Sequence, residues 1–251
     1  MTKNSWSYPR IIAHRCGGAL APENTLSGLR MAARLGFRAV EFDVMLSSDS
    51  VPMLIHDETV ERTCNAEGAV ADIPLAILRT LDAGYKHHRA FAGELLSTFE
   101  EALTVCQALG LAANVEIKPA SGHEEATGRI AAQVAARFVA ANQIEILLSS
   151  FSSAALSAAR HAAPELPRAM LVEDIPDDWQ VRLHDLSCCA VHCAAQHLRA
   201  GQLAVIRAEG IPLACYTVNS PERAAELFAG GVTAIFTDRL DVFAADGNPW
   251  R

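Results

Sequence analysis

Short apolar runs that end in a polar residue alternate with helix-like stretches along almost the whole chain. No other feature of the sequence restricts the fold as strongly. The runs cover residues 11–14, 39–44, 52–56, 112–118, 145–150, 168–172, 188–191, 212–218 and 233–237. Between most of them lie stretches with helical character, at 25–35, 98–109, 126–141, 153–161, 201–209 and 221–228. Asn24 stands where the first of these helices needs an N-cap. Gly36, Gly110, Gly210 and Gly230 stand where helices close on a left-handed residue. Alternation of this kind predicts a parallel sheet covered by helices.

Nine strand candidates are one too many for a closed barrel of eight. The link from Val44 to Pro52 is too short for a parallel crossover, and its Ser-Ser-Asp-Ser is turn chemistry. Residues 39–46 and 51–56 are therefore expected to form an antiparallel hairpin. A turn centred on Asp49-Ser50 would set Asp43 opposite His56. The other eight strands can then close as a (β/α)8 TIM barrel, an α/β fold. Residues 57–96 fit no βα unit and read as a small insertion over the barrel mouth, after the second barrel strand. A length of 251 residues suits one barrel, so 1–251 is expected to be a single catalytic domain.

Charge narrows the function. Twenty-one basic against twenty-nine acidic side chains give a net charge of −8, which argues against nucleic acid or a membrane surface as partner. The 51% apolar content excludes a disordered chain. Seven cysteines without regular spacing make a poor disulfide framework and point to a reducing compartment. Cys188, Cys189 and Cys193 with His192 and His197 match no zinc-finger spacing. The amino-terminal stretch carries Trp6 and Pro9 where a signal peptide needs an apolar run. The longest near-apolar stretch, 102–115, is too short to span a bilayer. A soluble, cytoplasmic protein is expected, and a homodimer is left open.

In such barrels chemistry belongs at the carboxyl ends of the strands. His14 and Arg15 end the first run, Glu41 and Asp43 the second, and Glu116 and Lys118 the strand after the insertion. His56 joins them through the hairpin. Residues two apart on a strand share a face, so the three acids converge. They would repel one another without a cation between them. All-oxygen ligands suit Mg²⁺ or Ca²⁺ rather than zinc. Two imidazoles can act as general base and general acid. Arg15 and Lys118 would face phosphate oxygens. The set matches metal-assisted phosphodiester hydrolysis. Phospholipase D-like or lyase chemistry on the same barrel, and a non-catalytic binding module, are the competing readings.

The segment IIAHRCGGALAPENTLSGLRMAARLGFRAVEFDVMLSSDSVPMLIHDETVERT resembles the signature of glycerophosphodiester phosphodiesterases. NVEIKP at 114–119, LLSSF at 147–151, YTVN at 216–219 and TD at 237–238 resemble further family motifs. The likeness runs nearly the whole length and is closest to cytoplasmic bacterial members. It implies a divalent metal on Glu41, Asp43 and Glu116, with His14 and His56 as the catalytic pair. It also implies phosphate on Arg15 and Lys118, and a supporting role for Asn24. Tyr216, at a strand end, would pack against the glycerol. The implied reaction turns a glycerophosphodiester, a small molecule from deacylated phospholipid, into sn-glycerol 3-phosphate and an alcohol. The paired histidines also resemble those of phosphoinositide-specific phospholipases. That likeness implies attack by the glycerol 2-hydroxyl with His14 as base and His56 as acid, then opening of a cyclic phosphate by water. One position departs from the pattern: Cys16 stands where the family has glycine.

Overall fold

A computed structural model describes residues 7–141 and 144–245. Residues 1–6, part of the stretch read for a leader, lie outside the described residues. The chain begins with β1 (Ile11–Ala13), α1 (Leu26–Arg34), β2 (Ala39–Leu46) and β3 (Pro52–Leu54). After α2 (Leu75–Leu78) and α3 (Phe99–Leu109) come β4 (Ala112–Ile117), α4 (Glu124–Ala141) and β5 (Ile146–Ser150). Then follow α5 (Ser153–Ala162), β6 (Arg168–Val172), α6 (Trp179–Asp185) and β7 (Ala190–Ala194). The series ends with α7 (Ala200–Ala208), β8 (Leu213–Tyr216), α8 (Pro221–Gly230) and β9 (Ala234–Thr237). β1 pairs in parallel with both β2 and β9, which closes a ring of eight parallel strands. The fold is the expected (β/α)8 barrel, with β3 antiparallel on β2 as the ninth strand.

β2 outlasts β1 by five residues (eight against three), and β3 takes up the hydrogen bonds that β1 no longer supplies. The hairpin differs from its expected register by one residue. Val44 pairs with Leu54 and Leu46 with Pro52, and Ile55, not His56, donates to the Asp43 carbonyl at 3.3 Å. The cause is a loop one residue longer than assumed. Ser47 bonds Val51, and Ser50 takes a left-handed φ of 63°, the pattern of a three-residue hairpin loop. His56 therefore follows the last paired residues instead of facing Asp43.

Alternation along the strands sorts the two faces. Val40, Phe42 and Val44 of β2 join the core between barrel and helices, where Phe42 meets Phe99 of α3 edge-on at 6.0 Å. The opposite face carries Ala39, Glu41 and Asp43. Small apolar side chains, among them Ala39, Ala214 and Ala234, fill the lower barrel with Ile12 and Phe236. Polar ones take the positions above: Asn114 donates to Ser149 at 3.0 Å in a fully buried pair. The barrel interior is thus apolar at one end and polar at the other.

Residues 57–96 build a smaller core of their own against the β2–β3 extension. Val60, Cys64, Val70, Leu78 and Leu81 pack there with Met45 and Met53. Glu94 fixes this segment to α1 by accepting from the amide and hydroxyl of Ser27 at 2.9 and 2.6 Å. Two helix boundaries differ from expectation. Thr25, not Asn24, caps α1, its Oγ1 accepting from Gly28 N at 3.2 Å, because the Asn24 side chain is engaged elsewhere. Gly231, not Gly230, takes the left-handed closing position of α8, at φ 108°. α6 escaped the sequence reading since its buried stripe is only Trp179 and Leu183. The following strand starts at Ala190 rather than Cys188, after a left-handed Ser187.

Candidate active site

Asp43 and Glu116 are register partners on neighbouring strands, so their side chains leave the sheet side by side. Glu41 shares that face two residues earlier on β2. Carboxylate oxygens of Glu41, Asp43 and Glu116 lie within 4.8 Å of one another. Glu41 and Asp43 are 4% and 1% exposed, so little solvent screens their repulsion. Burial, then the nearby charge of Asp43, pushes both Glu41 and Glu116 well above the usual carboxylate range. Lys118 offsets part of this through a 3.3 Å contact with Glu116. A hard divalent cation fits this donor set: three converging oxygen ligands, two buried and one half-buried, with more negative than positive charge around them. Among the described residues no other trio of acidic, histidine or cysteine side chains gathers in this way.

The β1–α1 loop wraps Glu41. Arg15 N donates to Glu41 Oε2 at 2.8 Å, and Cys16 N to the Glu41 carbonyl at 2.7 Å. To do so, Arg15 and Cys16 take left-handed backbones, with φ of 47° and 73°. Such residues cost about 1–3 kcal/mol each unless the surroundings fix them. The strained Cys16 explains why glycine would suit its position. Its side chain is fully buried, and a Cβ on Gly28 would sit 2.8 Å from the Cys16 Cβ. Gly28 thus supplies the room that Cys16 requires. Asn24, also left-handed at φ 56°, grips Asp43 twice: Nδ2 donates to Oδ2 at 2.8 Å, and Oδ1 accepts from the Asp43 amide at 3.0 Å. The supporting role expected for Asn24 is its observed contact, whereas the capping role is not.

His14 and His56 each carry a carboxylate on Nδ1. His14 meets Asp238 at 2.7 Å, and His56 meets Asp57 at 2.7 Å. A carboxylate on Nδ1 fixes the proton there and leaves Nε2 for chemistry. Nε2 of His14 points at Glu41, 3.8 Å from Oε2. Burial disfavours the His14 cation, but the Asp238 bond and the Glu41 charge outweigh it and raise the imidazole above its ordinary value. For His56 burial prevails over Asp43 and Asp57, and the imidazole is lowered. A divalent charge among the carboxylates would counter the pull of Glu41 on His14.

Arg15 does not point freely into the mouth. Its guanidinium is 3.2 Å from Glu23. Arg62 donates to the same Glu23 at 2.7 Å and to Asp57 at 2.5 Å, linking the supports of Arg15 and His56. Tyr216 ends β8, but its hydroxyl donates to the Val172 carbonyl at 2.8 Å and its ring meets Phe151 edge-on at 6.0 Å. The reading of strand ends did not assign roles to Asp57, Arg62, Glu23, Asn219 or Asp238. Asp238 follows β9 and obeys the same strand-end rule, so its signal was present. Asn219 braces it, donating to Oδ2 at 3.0 Å. Glu23 and Arg62 are 39 residues apart, and no local pattern joins them.

Replacing Arg62 with Met should release Asp57 and Glu23 together and lower kcat by about 10–100-fold, as small misplacements of reacting groups do. Acid stability offers a second readout. The Arg62 hydrogen bond, opposed by burial, lowers Asp57 from 3.8 to about 2. A lowered acid stabilises the fold above its unfolded value and loses that contribution as pH falls through its folded value. Asp57 is about a third exposed, so the contribution is at most ~1 kcal/mol. Urea titrations across that pH interval should show the loss in the parent and not in Arg62→Met. Equal curves with unchanged kcat would remove Arg62 from the site.

The glycerophosphoryl diester phosphodiesterase family pattern matches residues 14–242. A glycerophosphodiester phosphodiesterase of Caldanaerobacter subterraneus subsp. tengcongensis is 31% identical over 229 residues, covering 91% of this chain and 93% of that one. The structure of an Oleispira antarctica phosphodiesterase in complex with the product sn-glycerol-3-phosphate superposes with a TM-score of 0.89 at 34% identity. It covers 95% of this chain and 96% of that one. A glycerophosphodiester phosphodiesterase structure from Agrobacterium tumefaciens, at 23% identity, shares the fold with a TM-score of 0.76, covering 96% and 99%. Among the described residues no helix is long and apolar enough to cross a membrane. With the family pattern extending from His14 to beyond β9, this chain belongs to the glycerophosphoryl diester phosphodiesterase family.

Proposed function

We propose that the protein hydrolyses glycerophosphodiesters to sn-glycerol 3-phosphate and an alcohol, with a divalent metal and two histidines. The observation that carries this reading is the convergent trio of buried Glu41 and Asp43 with half-buried Glu116, with His14 Nε2 3.8 Å from a Glu41 oxygen. The product held by the Oleispira relative supports the substrate class. Glu41, Asp43 and Glu116 would hold Mg²⁺ or Ca²⁺, which supplies positive charge against the phosphoryl oxygens. Lys118 and Arg15 bind the remaining phosphate oxygens, and the Glu23 contact turns the Arg15 fork. His14, held by Asp238, takes the proton from the glycerol 2-hydroxyl as it attacks phosphorus. His56, held by Asp57, gives a proton to the leaving alcohol. Water then opens the cyclic phosphate with the two roles exchanged. The Tyr216 ring bounds the site beside Phe151. The whole of 1–251 acts as one catalytic domain, with 57–96 an insertion at the mouth that carries Asp57 and Arg62. Seven free cysteines, six of them buried, support a reducing compartment such as the cytoplasm.

A coupled assay for glycerol 3-phosphate, with and without a chelator, tests the reading. Activity on sn-glycero-3-phosphoethanolamine should disappear on chelation and return with Mg²⁺ or Ca²⁺. Full activity after exhaustive chelation would remove the metal. The analogue lacking the 2-hydroxyl should not turn over, and its hydrolysis would exclude internal attack.

A further inference from the structure

Beside the acidic trio lies a cavity of about 370 Å³, within the usual span of small-ligand sites. It shares Glu116 and Lys118 with the candidate active site, so it continues that site rather than standing apart. Its other walls include Glu58, which follows Asp57 in the insertion, and Glu124 at the start of α4. The aromatic ring of Phe151, 47% exposed, closes another side and is braced by the Tyr216 ring. Lys118 Nζ lies 5.9 Å from the centre of the Phe151 ring, so the ring already attracts a cation at the edge of the site. With Glu116 on the metal and Lys118 on the phosphate, the charge left in the cavity is that of Glu58 and Glu124. Neither forms an ion pair with a cation among the described residues. Hydrogen bonds from its own amide and from the Gly122 amide, the latter at 3.1 Å, favour the ionised form of Glu124.

Resting on the phosphodiesterase reading, we propose that this cavity receives the alcohol half of the substrate and selects alcohols carrying a quaternary or primary ammonium group. The glycerol phosphate half takes the metal, Lys118 and Arg15. The leaving alcohol then extends past Lys118 along the wall formed by Pro119, Phe151 and the two glutamates. A cationic head finds negative charge on two sides and an aromatic face on a third, the combination that binds ammonium groups. An anionic head group meets Glu58 and Glu124 and is rejected.

The test compares sn-glycero-3-phosphocholine with its 3,3-dimethylbutyl ester, which has the same shape without the charge. The ratio of kcat/KM values is taken within each enzyme, so a change in folded fraction cancels. The parent should favour the choline ester by about tenfold. In the Glu58→Gln/Glu124→Gln double variant the ratio should fall to about two or less, as expected once both fixed charges are gone. Phe151→Leu, which keeps apolar bulk but removes the ring, should lower the ratio about threefold. A parent ratio near one, or a ratio that survives the double variant, overturns the subsite while leaving the phosphodiesterase reading intact. Hydrolysis of neither ester overturns both.

Discussion

Asp43→Asn is expected to lower kcat/KM by about 10³-fold or more, the scale of several kcal/mol of lost charge stabilisation at the reacting phosphate. The same substitution should raise the melting temperature of the metal-free protein by a few degrees, on the scale of about 2–4 °C per kcal/mol for a chain of this size. The opposite signs follow from the site. Three carboxylates, two of them buried and the third half-buried, repel one another within 4.8 Å, and an asparagine at 43 removes one charge while its amide oxygen can still accept from Asn24 Nδ2. Adding Mg²⁺ or Ca²⁺ should raise the melting temperature of the parent by mass action and that of the variant far less. Kinetic assay beside thermal melts, with and without metal, reads all three effects. A variant that loses activity and stability together would make Asp43 a structural residue.

The histidines give the second large effect. His14→Ala and His56→Ala should each lower kcat by about 10²–10⁴-fold on the ethanolamine diester, the usual share of a proton-transfer group. On the proposed mechanism the two serve the same transition state, so the double variant should lose far less than the product of the single losses. A p-nitrophenyl ester of glycerol phosphate separates the roles, since its leaving group departs without protonation. In the first-turnover release of p-nitrophenol, His56→Ala should recover to within about tenfold of the parent, as a lost general acid no longer limits that step. His14→Ala should stay impaired on both esters. Recovery of His14→Ala instead would exchange acid and base.

The parts of this site that were legible in the sequence share a physical basis. Period-two alternation on β2 put Glu41 and Asp43 on one face, and parallel pairing set Glu116 beside Asp43. Strand ends in a barrel gather at one mouth, so position alone marked His14, Arg15 and Lys118 as candidates. The residues left unassigned belong to another level. Asp57 orients His56, while Arg62 and Glu23 tie that pair to Arg15, through contacts up to 39 residues apart. Such contacts depend on how the insertion folds back, and no periodicity reports that. Local errors had local causes: a three-residue loop shifted the hairpin register by one, and Asn24 gave up the helix cap because Asp43 engages its side chain. Cys16 was noticed as an anomaly, but its compensation by Gly28 needed the packing.

Anomalous scattering from crystals soaked in Mn²⁺ tests the central claim most directly. One peak is expected among Glu41, Asp43 and Glu116, with oxygens of all three roughly 2–2.6 Å away, the range of hard-cation coordination. No peak there, in an enzyme that Mn²⁺ activates, would contradict the assignment of these three residues.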